Sequence, residues 1–305
     1  MTSARTLTRK QRGFTLVEAI IVMVLTGILA GVMVLFIRQP VQNYIDASAR
    51  ADLTDTADLA LRRMARELRG ALPNSIRTLY SNGVWYVQFI PVKAGGQYLA
   101  VEDNATSGTP LSFTSTSATI FDVVGPMPEG SSAIAPGDMI AIYNLGNGIT
   151  DADAYNAGET PLTTQPNRQQ IRAVSGNTIT LANNFNQFAM PANATSPRSP
   201  NTSPGHRFHV ISTPVTFRCE GRANGTGTLT RIPNNQFRAV QVVLTGGALM
   251  ADNVLECDFS ASQSGSLHSG LIGMTLSLAR PRAGGAANGL ETVTLVHQIH
   301  VDNTP

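Results

Sequence analysis

Gly13-Phe14-Thr15-Leu16-Val17-Glu18 opens the apolar run that decides how the rest of the chain is to be understood. From Phe14 to Ile37 the only charged side chain is Glu18, and Arg12 and Arg38 stand just outside. These 24 residues, at a rise of about 1.5 Å each, make roughly 36 Å of helix, enough for a hydrocarbon core of about 30 Å. A carboxylate inside such a span is costly and is expected to have a function. Ahead of it stand Arg5, Arg9, Lys10 and Arg12. That positive flank predicts a cytoplasmic N-terminus, with the bulk of the chain across the membrane. A cleaved secretory signal would instead show a shorter apolar core and an Ala-x-Ala site behind it. Leu29-Ala30-Gly31 sits in mid-run and substitutes poorly for one.

Beyond the stalk, a chain of 305 residues has room for one large domain or two small ones. Charged residues are only 14% of it, which suits an exported β-rich surface better than a cytosolic enzyme. The formal net charge of +2 misleads, because four of the basic residues precede Gly13 and all 20 acidic ones follow it. Past Gly13 the balance is −2, with 18 basic against 20 acidic side chains. No basic field remains to attract nucleic acid.

After Ile37 the helix is expected to continue, kinked at Pro40, which removes a backbone donor and crowds the preceding turn. Apolar residues recur at helical spacing through Val41, Tyr44, Ile45, Leu53, Ala57, Ala60, Met64, Leu68 and Leu72. Asp46, Asp52, Asp55 and Asp58 come first, then Arg62, Arg63, Arg66 and Arg69, an order that suits a helix dipole. Asp58 and Arg62 also form a favourable i,i+4 pair. Gly70 weakens the helix and Pro73-Asn74 stops it.

From Val84 the period switches to two. Strands are expected at Val84–Ile90, Tyr98–Val101, Ala118–Val124, Asp138–Tyr143, Gln170–Val174, Asn177–Leu181, Arg207–Ser212, Val215–Glu220, Gly227–Ile232, Ala239–Leu244, Val254–Phe259, Leu271–Ala279 and Glu291–Val301. The last of these is so apolar on one face that a central position under the helix is expected. Cys219 and Cys257 each alternate with apolar neighbours, so both thiols should point into the core and form a bridge suited to an oxidising compartment. The predicted fold is α+β: a long, kinked N-terminal helix packed on an antiparallel sheet domain. Its divisions are 1–13, 14–37, a second helical half over 38–73, a first β lobe over 74–182, a Pro-rich loop over 183–205 and a Cys-bearing lobe over 206–305.

Gly-Phe-Thr-Leu-Val-Glu after a short basic leader resembles the processing signature of type IV prepilins and type II secretion pseudopilins. The resemblance implies cleavage after Gly13 by a prepilin peptidase and N-methylation of Phe14. In a filament of packed helices Glu18 is then expected to pair with the Phe14 amine of the adjacent subunit. The layout of membrane half, Pro40 and amphipathic half is similar to that of a type IV pilin. The run Arg38-Gln-Pro-Val-Gln-Asn-Tyr44, the stretch through Ala71-Leu72-Pro73-Asn74-Ser75 and the end from Leu295 to Pro305 resemble the large minor pilin of mannose-sensitive haemagglutinin (MSHA) pilus systems, the MshO type. That resemblance implies a subunit stored in the inner membrane with its domain in the periplasm, then built into a pilus or its tip. Its partners would be other major and minor pilins, the inner-membrane assembly platform and the membrane itself. A J-type minor pseudopilin of a type II secretion system, and a tip adhesin binding a surface or glycan, are the alternatives.

Other constellations are weaker. His206-Arg-Phe-His209 and His297-Gln-Ile-His300 set their rings on opposite faces of a strand, so neither pair chelates. Asp151, Asp153 and Glu159 offer oxygens for calcium, but Asn156 replaces the turn glycine and Leu162 the bidentate glutamate of an EF-hand loop. No nucleophile elbow, phosphate loop or dinucleotide fingerprint is present in the sequence, so neither catalysis nor a cofactor is expected. Trp85, Tyr86, Tyr143 and Tyr155 could serve an adhesin, though aromatics in strands more often fill a core.

Overall fold

The computed structural model describes residues 13–146, 148–149, 151–156, 167–189, 202–233, 236–263, 269–282 and 289–305. One helix, α1 (Leu16–Arg69), precedes an antiparallel β domain, which is the α+β architecture expected. By contacts the chain divides into two units. One holds the helix up to Ala51 with Pro281–Glu291; the other holds Asp52–Arg280 with Thr292–Pro305.

α1 runs through Pro40 without a break in its assignment. Its second half turns Leu53, Ala57, Ala60, Met64 and Leu68 inward, all at or below 4% exposure, at the spacing read from the sequence. Asp58 and Arg62 make the expected surface pair, Nε to Oδ1 at 2.9 Å. The dipole argument holds only for Arg66 and Arg69 in the last turn. Asp52, Asp55 and Asp58 lie far from a helix start at Leu16, so the dipole does not account for them. The helix ends at Arg69, short of the expected bound at 73. Its final turn tightens, with Gly70 N–H donating to Glu67 O and Ala71 N–H to Leu68 O.

Among the described residues thirteen strands form two sheets. β1 (Arg77–Ser81), β2 (Val84–Phe89), β9 (Val215–Glu220), β10 (Gly227–Pro233), β11 (Ala248–Gln263), β12 (Ser269–Pro281) and β13 (Leu290–Asp302) line up in that order as one sheet. Between β2 and β9 the chain makes a closed barrel, ordered β3 (Val92–Tyr98), β4 (Ile120–Val124), β7 (Thr178–Leu181), β6 (Arg168–Ser175), β5 (Met139–Ala141) and β8 (Arg207–Ile211). The lobes are therefore nested in sequence. β8 closes the barrel although it follows the Pro-rich loop, and β1 and β2 join the Cys-bearing sheet although they precede it. β2 and β9 pair directly, from Val84↔Glu220 to Phe89↔Val215, as a stem from which the barrel grows.

Four strand expectations need correction. β1 is missing from the expected list, yet Asn82-Gly83 takes φ values of 52° and 79° and closes a two-residue hairpin, Ser81↔Val84. β3 ends at Tyr98 instead of starting there, because Gly95-Gly96 hides its period; the Phe208 ring packs where a Cβ on Gly96 would stand. Ala239–Leu244 is not a strand. The Arg77 guanidinium takes the carbonyls of Arg238 and Ala239, each at 2.8 Å, so those acceptors serve a side chain instead of a ladder. β13 is an edge strand, not a central one. Its alternation reports one buried face, with Ile299 and Val301 inward, and says nothing of neighbours on both sides.

The sheet folds over on itself at β11. Asn253 takes a φ of 57°, and the pairing shifts register between Ala251 and Val254 against β10 and between Val254 and Glu256 against β12. The far half of β11 thus reaches strands that are not its neighbours. Cys257 bonds Cys219 of β9, and Phe259 meets the Trp85 ring of β2 edge-on at 6.3 Å. Gly227 sits in the crook of this bend. A Cβ there would overlap the carbonyl oxygens of both Glu220 and Val254, and neither is a flexible group. Gly227→Ala is expected to cost about 3 kcal/mol or more, the upper range for overpacking, read as a lower denaturant midpoint of the full chain. An unchanged midpoint would contradict this account of the bend.

Barrel and sheet are joined by a small apolar cluster of Leu72, Ile90, Ala141, Ala154, Tyr155 and Ile211. The Tyr155 hydroxyl donates to Ser75 O at 2.8 Å, and the Arg77 guanidinium lies 3.6 Å from the Tyr155 ring centre. Burial pushes the Tyr155 phenol far above its usual range and draws Arg168 down to about 10. Tyr155→Phe leaves the Ser75 carbonyl without this donor and is expected to destabilise by about 1–3 kcal/mol. Chemical denaturation measures it, and a gain in stability would sink the assignment.

Candidate processing and assembly site

Gly13-Phe14 leads directly into α1. The Thr15 hydroxyl accepts the Glu18 backbone N–H at 3.3 Å, which makes Thr15 the N-cap and Glu18 the third residue of the first turn. Thr-x-x-Glu is the sequence pattern of a capping box, a local signal that the reading by hydropathy did not use. The motif therefore also fixes where the helix starts, and sets the Glu18 carboxylate one turn beyond the Gly13–Phe14 bond.

From that turn to Ile37 the helix is apolar on every side. Its most apolar 18-residue window has a mean hydropathy of 3.0, and none of that window is buried by the protein. Phe14 and Leu16 are 78% and 76% exposed. By length and composition this helix can cross a membrane. The Thr26 hydroxyl within it is satisfied locally, donating to Val22 O at 2.6 Å. Gly27 and Gly31, four residues apart, have nothing within 4 Å of where a Cβ would be, so another helix could approach closely there.

Within this same unit Glu291 takes Arg50 Nε at 2.6 Å and Arg282 Nε at 3.1 Å. Arg50 first, then Arg282, holds the Glu291 carboxyl below the usual carboxylate range. A carboxyl depressed on folding stabilises above its ordinary titration, so this link is present at neutral pH and is lost in acid.

The cysteines meet as expected, Cys219 bonding Cys257 with both buried in the main core. The calcium candidates fare differently. Asp153 is buried and spends its carboxylate on the loop, accepting Gly148 N–H at 2.9 Å and Tyr155 N–H at 2.8 Å. Asp151 takes a φ of 63° in that loop, and Glu159 lies outside the described residues. Among the described residues no group of three His, Cys, Asp or Glu could hold a metal ion. Of the histidines, His206 approaches Asp103 at 3.5 Å, and burial, aided by Arg207, pulls His209 below its usual range. Tyr86 and Tyr155 are core residues, while Trp85 and Tyr143 pack against the two cores from their edges.

Compared with known proteins, residues 8–34 match the family described as the prokaryotic N-terminal methylation motif. Neither a curated protein nor a solved structure matches the chain. The chain thus carries the N-terminal signal of type IV pilin-like prepilins, on a helix able to anchor it in a membrane and ahead of a disulfide-bonded β domain. Such a signal implies processing by a prepilin peptidase and assembly with other pilins.

Proposed function

We propose that the protein is a minor type IV pilin of the MSHA type, cleaved after Gly13, N-methylated at Phe14 and built into a pilus or its tip. The observation that carries this reading is the pairing of the methylation motif with an apolar helical half that the protein's own domain leaves wholly uncovered. Such a helix needs lipid first and other helices later, and a subunit moving from membrane to filament meets both in turn. Glu18 is the assembly residue, neutralised against the Phe14 amine of its neighbour. The disulfide and the nested barrel supply a stiff body that stays outside the filament core. The MSHA type rests on the sequence resemblance around Arg38–Tyr44 and the C-terminal stretch, and on nothing in the fold.

Deleting the gene and scoring two outputs tests the assignment. Loss of surface fibres with exported proteins unaffected is expected. Loss of protein export with fibres intact would overturn it in favour of a secretion pseudopilin.

A further inference from the structure

β13 ends the large sheet, and among the described residues no strand lies beside its outer edge. It is 13 residues long, and from Thr292 to Val301 it carries no proline and no acidic, lysine or arginine side chain. Edge strands are normally blunted by shortness, charge or proline, because an open row of N–H and C=O groups is a template for another chain. The opposite edge follows this rule, since β1 has only 5 residues and begins at Arg77. β13 breaks it.

Two contacts fix which of its backbone groups are open. Arg282 N–H donates to Gly289 O at 3.0 Å, and five residues further in on each strand the Ser277 and Thr294 hydroxyls meet at 2.8 Å. One register therefore holds across both, and the in–out alternation of β13 runs unbroken from Glu291 to Asp302. In an antiparallel pair bonded and non-bonded positions alternate. Odd-numbered residues, in step with Gly289, bond β12, while Thr292, Thr294, Val296, Gln298 and His300 turn their backbone groups to the open edge. Val296 is the midpoint of the strand and its only strongly exposed large apolar side chain, at 66%. On the other face Val293 and Leu295 are only half-buried at the margin of the core.

We infer that this edge takes β13 of a second copy of the chain, antiparallel, about a two-fold axis through Val296. The strand is complementary to itself about that point. Val296 meets its own copy, Thr294 faces Gln298 and Thr292 faces His300, which makes about ten backbone hydrogen bonds. On the inner face Val293 meets Ile299 and Leu295 meets His297, so each copy extends the other's apolar row. Glu291 falls opposite Val301 and Asp302 opposite Leu290, so no like charges meet. Parallel pairing in register sets Glu291 on Glu291 and Asp302 on Asp302 and is disfavoured. The antiparallel contact is isologous: it closes at two copies, joins their sheets and covers the open edge of each. Contacts that lengthen a fibre are head-to-tail, so this one is separate from filament growth and does not rest on it.

The test uses the full chain in detergent. The native cysteines are bridged to each other and do not compete. Bonded antiparallel partners stand about 5.5 Å apart at Cα, within disulfide reach. Val296→Cys is therefore expected to give a covalent dimer on mild oxidation and nothing larger. Thr294→Cys alone should stay monomeric, its two copies lying about 14 Å apart, and adding Gln298→Cys should produce the dimer. A dimer from Thr294→Cys alone would mean parallel pairing, and a ladder beyond dimer an open assembly; either overturns the inference. Sedimentation of chains without added cysteines gives a second readout. Val296→Lys and Val296→Glu should each abolish the dimer, and an equal mixture of the two should restore it as a mixed pair. Failure of the mixture to do so overturns the inference, as does a monomeric unsubstituted chain. A cross-link from Val296→Cys in membranes to a protein of another mass would assign the edge to a different partner and equally overturn it.

Discussion

Replacing Cys219 and Cys257 together by alanine is expected to lower stability by about 4 kcal/mol, the chain-entropy estimate for a bridge of this loop length. The bridge joins residues 38 positions apart and fastens the far half of β11 to β9 across the bend at Asn253. Without it, the β11 bend and the Trp85–Phe259 contact must be held by packing alone. For a domain of about 150–250 residues, such a loss lowers the melting temperature by roughly 8–16 °C. Calorimetry of the bridged and substituted chains measures this, with reductant on the unsubstituted chain as a second route. A shift under about 2 °C would show that the bent sheet does not depend on its cross-link.

Changing Glu18 to alanine should leave cleavage intact and cut entry into filaments by about 100-fold or more, the factor that corresponds to 3 kcal/mol or more for a buried amine left unpaired. The substitution isolates the carboxylate, because the backbone N–H that meets Thr15 Oγ1 is still present and the helix start is kept. In a packed core of apolar half-helices the Phe14 amine would then have no counter-charge. Comparing the variant in sheared fibres and in membranes, each normalised to the cleaved form, gives the ratio. Incorporation at the level of the unsubstituted chain would refute the pairing.

The extent of the sequence's legibility follows from how local each signal is. The apolar half of α1, its inward face from Leu53 to Leu68 and the pointing of both cysteines are periodic patterns, and periodicity is readable without tertiary knowledge. Strand neighbours are not local. Nothing in β8 says that it closes a barrel, and the apolar face of β13 looks the same at an edge as at a centre. Two misses had a signal that was passed over: Asn82-Gly83 as a hairpin turn, and Thr15-x-x-Glu18 as a cap. Ala239–Leu244 was illegible for a different reason. Its strand-like alternation is real, but Arg77, more than 150 positions earlier, takes the carbonyl of Ala239 at its start. The same holds for Asp153, whose acidic loop resembles a cation site in sequence and uses the carboxylate on its own backbone.

The central claim is that Gly13-Phe14 is a processing junction and that the helix beginning there ends in a filament. Mass spectrometry of the N-terminal peptide from sheared surface fibres tests this most directly. The account predicts a peptide that begins at Phe14 and carries one added methyl group on its amine. A peptide still bearing residues before Gly13, or a mature end falling after Leu29-Ala30-Gly31, would contradict it.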